Sequence, residues 1–158
     1  MDLYGCYTGY TSKRTHILNL KFTKEDIEYL RSRNCFCEEF LTYLENFKFT
    51  GDIWAAEEGT IIFPNEQVIT VRANIIEAQL IETYLLLSIN YQSLIATKTR
   101  RIVEACPDGV SVMEFGARRA QGVDAANYGT RACYIGGCVS SSNTMMERDM
   151  LIPASGTM

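Results

Sequence analysis

Val110-Ser111-Val112-Met113-Glu114-Phe115-Gly116-Ala117-Arg118-Arg119 is the stretch that decides how this chain folds. Its first six residues have strand character, and Gly116 ends the run. Beyond it, Asp124 to Ile135 reads as a helix closed by Gly136-Gly137. Cys138-Val139 reads as a very short strand, Asn143 to Asp149 as a short helix, and Leu151 to Ala154 as a third strand. This β-α-β-α-β order predicts a parallel sheet. Right-handed crossovers then put the C-terminal ends of all three strands on one edge. Three loops converge there: Gly116-Ala117-Arg118-Arg119, Ser140-Ser141-Ser142-Asn143 and Ser155-Gly156-Thr157. In open α/β sheets and barrels, ligands bind at that edge, so it is the expected active-site rim.

Working outward, Ile75 to Ala105 has no Gly or Pro and predicts one long helix, ended by Cys106-Pro107-Asp108-Gly109. Leu80, Thr83, Tyr84, Leu87 and Tyr91 form one face. Ile76, Leu94, Ile95 and Ile102 continue the apolar surface, so burial on more than one side is expected. Before it, Ile53-Trp54-Ala55, Thr60-Ile61-Ile62-Phe63 and Gln67-Val68-Ile69-Thr70-Val71 are β-rich runs split by turn residues. They predict a small three-stranded antiparallel layer with Trp54 as its core plug. Thr23 with Asp26 three residues on has the form of a capping box, and Ile27 and Leu30 give the helix behind it an apolar stripe. Phe40, Leu41, Leu44 and Phe47 predict a second helix over 38–47. Residues 1–20, with Tyr4, Tyr7 and Tyr10 among Gly and Thr, show no clear pattern. The expected class is α/β. An α+β part over residues 1–72 precedes a long helix and the first three strands of an incomplete α/β barrel over 73–158.

Composition narrows the classes. The chain has 158 residues, is 47% hydrophobic and 22% charged, and so supports a packed core rather than disorder. Its net charge is -4 with no run of five basic residues, which argues against a nucleic-acid partner. No apolar run approaches the ~20 residues that span a bilayer. The six cysteines form no CxxC pair, His16 is the single histidine, and no apolar leader is evident. Reduced thiols in a cytoplasmic protein, without a zinc site, are expected.

At the rim, Arg118 and Arg119 offer planar, permanently charged forks for carboxylate or phosphate. Glu114, on the same strand, is the expected partner of one of them. Ser142 and Asn143 open a helix, where free N–H groups either cap locally or hold phosphate. There is no Walker A loop, no GxGxxG and no Ser/His/Asp set. From residues alone the expectation is an anionic small-molecule site on an incomplete barrel. A non-catalytic phosphate- or ligand-binding module remains the alternative.

Several ordered stretches resemble the nicotinate phosphoribosyltransferase family. They are Asn46-Phe47-Lys48-Phe49-Thr50-Gly51-Asp52-Ile53-Trp54-Ala55 and Glu58-Gly59-Thr60-Ile61-Ile62-Phe63-Pro64-Asn65-Glu66. Glu77 to Thr83, Gln92 to Lys98 and Glu114-Phe115-Gly116-Ala117-Arg118-Arg119-Ala120-Gln121-Gly122 follow. Tyr134-Ile135-Gly136-Gly137, Ser142-Asn143 and Ser155-Gly156-Thr157-Met158 complete the set. The resemblance implies a phosphoribosyltransferase-type barrel and a glycosyltransferase of NAD biosynthesis by pyridine nucleotide salvage. Such an enzyme joins nicotinate to phosphoribosyl pyrophosphate. The reaction is coupled to ATP with Mg, ligase-like, at a homodimer interface, and needs no bound organic cofactor. It implies Arg118 and Thr157 as substrate-binding residues, with Ser142 and Asn143 toward the phosphoribosyl group. Tyr4, in Asp2-Leu3-Tyr4, would pack on nicotinate. The family's phosphorylated histidine would follow Met158, and His16 does not match its motif. A truncated fragment, inactive alone, is therefore expected. A sibling acting on quinolinate or nicotinamide is the other reading.

Overall fold

Thr23 closes the first helix in the way its sequence requires. The Thr23 hydroxyl accepts from the Asp26 amide, and the Asp26 carboxylate accepts from the Thr23 amide. The structure is a computed structural model and describes residues 5–9 and 16–156. Its elements run in the order β1 (Gly5–Cys6), α1 (Lys24–Ser32), α2 (Glu38–Glu45), β2 (Asp52–Ala55), β3 (Ile61–Ile62), β4 (Ile69–Arg72) and α3 (Ile75–Ala105). They continue with β5 (Met113–Glu114), a 3₁₀ turn (Ala117–Arg119), α4 (Val123–Ile135), β6 (Ser140–Ser141) and α5 (Thr144–Met150). Tyr4 and Thr157 lie outside the described residues.

The expected three-stranded layer is corrected. β2 pairs antiparallel with β4, from Asp52 opposite Arg72 to Ala55 opposite Ile69. β3 instead pairs antiparallel with β1, placing Gly5 opposite Ile62 and Cys6 opposite Ile61. Local strand signals could not reveal this, because the partner is more than fifty residues upstream in the segment without a pattern. Trp54 is also corrected: it is 53% exposed on the outer face of β2, while Ile53 and Val71 turn inward. The period of two puts Ile53 and Trp54 on opposite faces, and the inner face went to the isoleucine.

α3 forms over the expected span. Asn74 caps it by accepting from the Glu77 amide. Its buried seam is Glu77, Ile81, Leu85, Ser88, Gln92, Ala96 and Thr99, at spacings of four or three residues. The expected burial on further sides is only partial: Leu80, Tyr84 and Ile95 pack against the cores, whereas Leu87, Leu94 and Ile102 are exposed. Ile81 and Leu85 pack with Ile17, Phe47 and Phe49 in one core, and Ala96 packs with Cys6 and Ala132 in another. A third core joins Ile27 of α1 to Leu41 and Leu44 of α2.

Polar residues on the seam tie loops to the helix. Buried Glu77 accepts from the Thr50 amide at 2.7 Å, the Thr50 hydroxyl at 2.9 Å and the Gly51 amide at 3.2 Å. Gly9 sits against α3 with φ 114°, where an added Cβ would lie 2.7 Å from the Ser88 carbonyl oxygen. Close approach and left-handed backbone both demand glycine there.

The C-terminal half is parallel, as its order requires. β5 pairs with β6, Met113 beside Ser140 and Glu114 beside Ser141, and Ser141 bridges in parallel to Ala154. The strands are shorter than expected: residues 110–112 and Leu151 to Pro153 are not strand, although the Val112 and Pro153 carbonyls accept from the Val139 and Ser141 amides, and the short strand lies at Ser140–Ser141 rather than Cys138-Val139. Gly137, at φ 109°, delays the strand after α4.

Candidate functional site

Glu114 is the hub where the strand ends meet. Its carboxylate accepts from the Ser141 hydroxyl at 2.6 Å, the Thr130 hydroxyl at 2.9 Å and the Gly116 amide. The expectation that Glu114 pairs with an arginine is therefore corrected. Its oxygens meet hydroxyl donors on β6 and α4, and neither Arg118 nor Arg119 of the 3₁₀ turn forms an ion pair with it. The three loops do converge. The Ser142 amide donates to the Glu114 carbonyl at 3.0 Å, the Ser155 amide to the Ser141 carbonyl at 2.9 Å, and the Ser140 and Ser155 hydroxyls are 2.7 Å apart.

The candidate residues fall into distinct positions. Arg118 is exposed on the 3₁₀ turn, and Ser142 is exposed at the strand end. Asn143 is the N-cap residue of α5, but its side chain makes no cap bond. Its amide group donates instead to the Asn127 oxygen at 3.0 Å and the Thr130 hydroxyl at 3.3 Å, joining α4 to the Glu114 hub.

A cleft of about 370 Å³ opens beside this hub, between α3, the 3₁₀ turn and α4. Lys98, Arg119, Glu114, Thr130 and Tyr91 bring its polar groups, and Gly116, Ala117 and Gly129 bring backbone within reach. Lys98 and Arg119 form no ion pair with another described residue. Glu114 has both oxygens engaged by neutral donors, so two cations face a largely satisfied carboxylate. Such a cleft suits an anion. Tyr91 donates its hydroxyl to the Ala125 carbonyl at 2.9 Å. Burial, with Cys133 and Glu114 nearby, raises its pKa and keeps it a neutral donor at neutral pH. Burial also raises Cys133, so that thiol is a poor nucleophile. A separate hollow of about 400 Å³ between β4 and α3 is lined by Val68, Val71, Ile75, Ile81 and Leu86 and offers no cation.

Sequence reasoning named Arg118 ahead of Arg119 and passed over Lys98. The structure places Arg119 and Lys98 on the cleft wall. It also passed over Glu58 and Arg131, which pair at 2.6 Å with side chains only 12% and 13% exposed. That pair holds residues 8 and 9. Arg131 also donates to the Thr8 hydroxyl, and Glu58 accepts from the Thr8 hydroxyl and the Gly9 amide. No local pattern marks residues 73 apart as partners. Among the described residues no three His, Cys, Asp or Glu side chains come together as a metal site, and no helix is long and apolar enough to cross a membrane.

Comparison with known proteins bears on the family and the fold. Residues 1–90 match the model of the nicotinate phosphoribosyltransferase N-terminal domain. The chain is 48% identical over 138 residues to a nicotinate phosphoribosyltransferase of Mycobacterium tuberculosis, covering 87% of this chain and 30% of that protein. It is 43% identical over 154 residues to the Bacillus subtilis enzyme, covering 98% and 31%. The crystal structure of human nicotinic acid phosphoribosyltransferase superimposes with a TM-score of 0.89 at 27% identity, over 99% of this chain and 32% of that one. The fold alone is shared with a nicotinate-nucleotide pyrophosphorylase of Pyrococcus furiosus, at a TM-score of 0.75 and 24% identity. The chain thus spans about 30% of the length of the curated relatives it matches. With an α/β fold shared over nearly its whole length and a family model matching more than half of it, the chain belongs to the nicotinate phosphoribosyltransferase family.

Proposed function

We propose that this chain supplies the N-terminal layer, residues 1–72, and the start of the barrel, residues 73–158, to an enzyme that joins nicotinate to phosphoribosyl pyrophosphate. The products are nicotinate mononucleotide and pyrophosphate. The observation that carries this reading is the cleft beside Glu114, where Lys98 and Arg119 face one space at the C-terminal edge of a parallel sheet. Its cations suit the phosphate groups of phosphoribosyl pyrophosphate. Glu114 and Ser141 hold the strand ends in register, and Asn143 braces α4 against them. Arg118, Ser142 and Asn143, at the same rim, would touch the outer part of the substrate. Tyr4 and Thr157 would contact nicotinate.

ATP, the Mg ion, a homodimeric partner and a cytoplasmic location belong to this proposal through the family resemblance. Among the described residues no three His, Cys, Asp or Glu side chains gather, and both Glu114 oxygens are engaged by protein donors. What the chain's own residues contribute is binding and orientation of an anion.

Calorimetric titration with phosphoribosyl pyrophosphate tests the reading. Arg119→Ala and Lys98→Ala should each weaken binding about tenfold, the effect of losing roughly 1.4 kcal/mol of charge-assisted bonding. Arg118→Ala should weaken it less. An affinity unchanged in both cleft variants would remove the site.

A further inference from the structure

The six cysteines divide by exposure. Cys6 and Cys138 are buried, Cys106 and Cys133 are partly covered, and Cys35 and Cys37 are exposed. Burial raises Cys6, Cys133 and Cys138, the last to about 12, so those three thiols stay protonated near neutral pH. The exposed pair is separated by one residue, in the turn that joins α1 to α2.

That turn is held from both flanks. Arg31, near the end of α1, reaches across it to Glu38, the first residue of α2. Its Nε and Nη2 donate to both carboxylate oxygens at 3.0 to 3.3 Å. Asn34 adopts φ 53°, which turns the chain sharply just before Cys35. Phe36, between the two cysteines, packs its ring on Phe40 with centroids 5.6 Å apart. The backbone around the thiols is thus tied down while the thiols face solvent. The Cys35 Sγ donates to the Arg33 carbonyl at 3.1 Å and the Cys37 side chain donates to Glu39, so each exposed thiol is held by one local acceptor.

We propose that Cys35 and Cys37 form a surface dithiol that closes reversibly to an intramolecular disulfide when it meets a low-molecular-weight disulfide. The Cys35 thiolate attacks one sulfur of the small disulfide, forms a mixed disulfide and releases one small thiol. The Cys37 thiolate then attacks the Cys35 sulfur and releases the second small thiol. Two cysteines lose two electrons, the small disulfide gains them, and the two protons reappear on the released thiols. Cys37 lies two residues from Cys35 on a turn that the Arg31–Glu38 bridge holds, so closure competes with attack by another molecule. A bridge across so short a span is the readily reduced kind. The site stands apart from the Glu114 cleft and does not depend on the proposed activity.

The 158-residue chain is incubated with oxidised glutathione, blocked with iodoacetamide under native conditions, digested and weighed. The expected product is a peptide carrying Cys35 and Cys37 that has lost two hydrogens, with Cys6, Cys133 and Cys138 alkylated only after unfolding. Cys37→Ser should instead retain glutathione on Cys35. Arg31→Ala should let the mixed disulfide accumulate severalfold over its wild-type level. Three results would overturn the proposal: a stable glutathione adduct on the wild-type turn, a bridge from either cysteine to a second chain, or earlier modification of a buried thiol.

Discussion

Arg131→Met removes the cation from an ion pair that is nearly buried and leaves Glu58 facing the backbone of residues 8 and 9. An uncompensated buried charge costs several kcal/mol, so the variant should lose about 3 kcal/mol of stability, read from its denaturant midpoint. Replacing both partners with apolar residues should cost less than either single change, because no charge is then left unpaired. A double-mutant cycle measures that difference. Glu77 is comparable. It serves Thr50, Gly51 and Asn74 at once, and Glu77→Ala leaves those donors without their acceptor. Neither carboxylate was legible as structural from its neighbours in sequence. Glu58 stands in a turn and Glu77 in a first helical turn, where acidic residues are ordinary. Only the partners brought by folding give them their roles.

The capping box of α1 was legible, because all its parts lie within four residues. Hydrogen bonds from the Thr23 backbone and hydroxyl lower the pKa of Asp26 below its usual value. The folded pKa lies below the unfolded one. The cap therefore contributes fully above the ordinary carboxylate pKa of about 4 and is lost as pH falls through the lowered folded value. Titration followed by the Thr23 and Asp26 amide resonances should show α1 fraying in that acidic window, and Asp26→Asn should abolish the transition. α3 divides differently. Its existence followed from composition, but its buried seam did not, because leucine and isoleucine occur all round it. Ile81→Ala on the seam should cost about 3 kcal/mol, whereas Leu87→Ala, at an exposed position, should stay within about 0.5 kcal/mol. Gly136 sets how closely α4 approaches α3. A Cβ there would meet the Ala96 carbonyl oxygen at 2.7 Å and the Thr99 Cβ at 2.8 Å. Gly136→Ala should therefore cost about 1–3 kcal/mol in thermal or denaturant unfolding.

Across the molecule, apolar side chains remain uncovered along one helix. Leu86, Leu87 and Leu94 are 59%, 67% and 62% exposed, and Ile75 is 76% exposed. Surfaces of this kind associate in water. Sedimentation of the 158-residue chain should show concentration-dependent association, and Leu87→Glu with Leu94→Glu should reduce it without lowering the unfolding midpoint. The α/β class, the long helix, the capped first helix and the parallel order of the C-terminal strands could all be read from the chain. Each depends on residues close in sequence, through periodicity, caps and glycine breaks. The tertiary structure decided the rest: β3 with β1, Glu58 with Arg131, Glu114 with Thr130 and Ser141, and Lys98 with Arg119 around one cleft. Those partners lie from 16 to 73 residues apart. At such separations no local pattern distinguishes one charged or apolar residue from another, and only packing against α3 selects which of them meet.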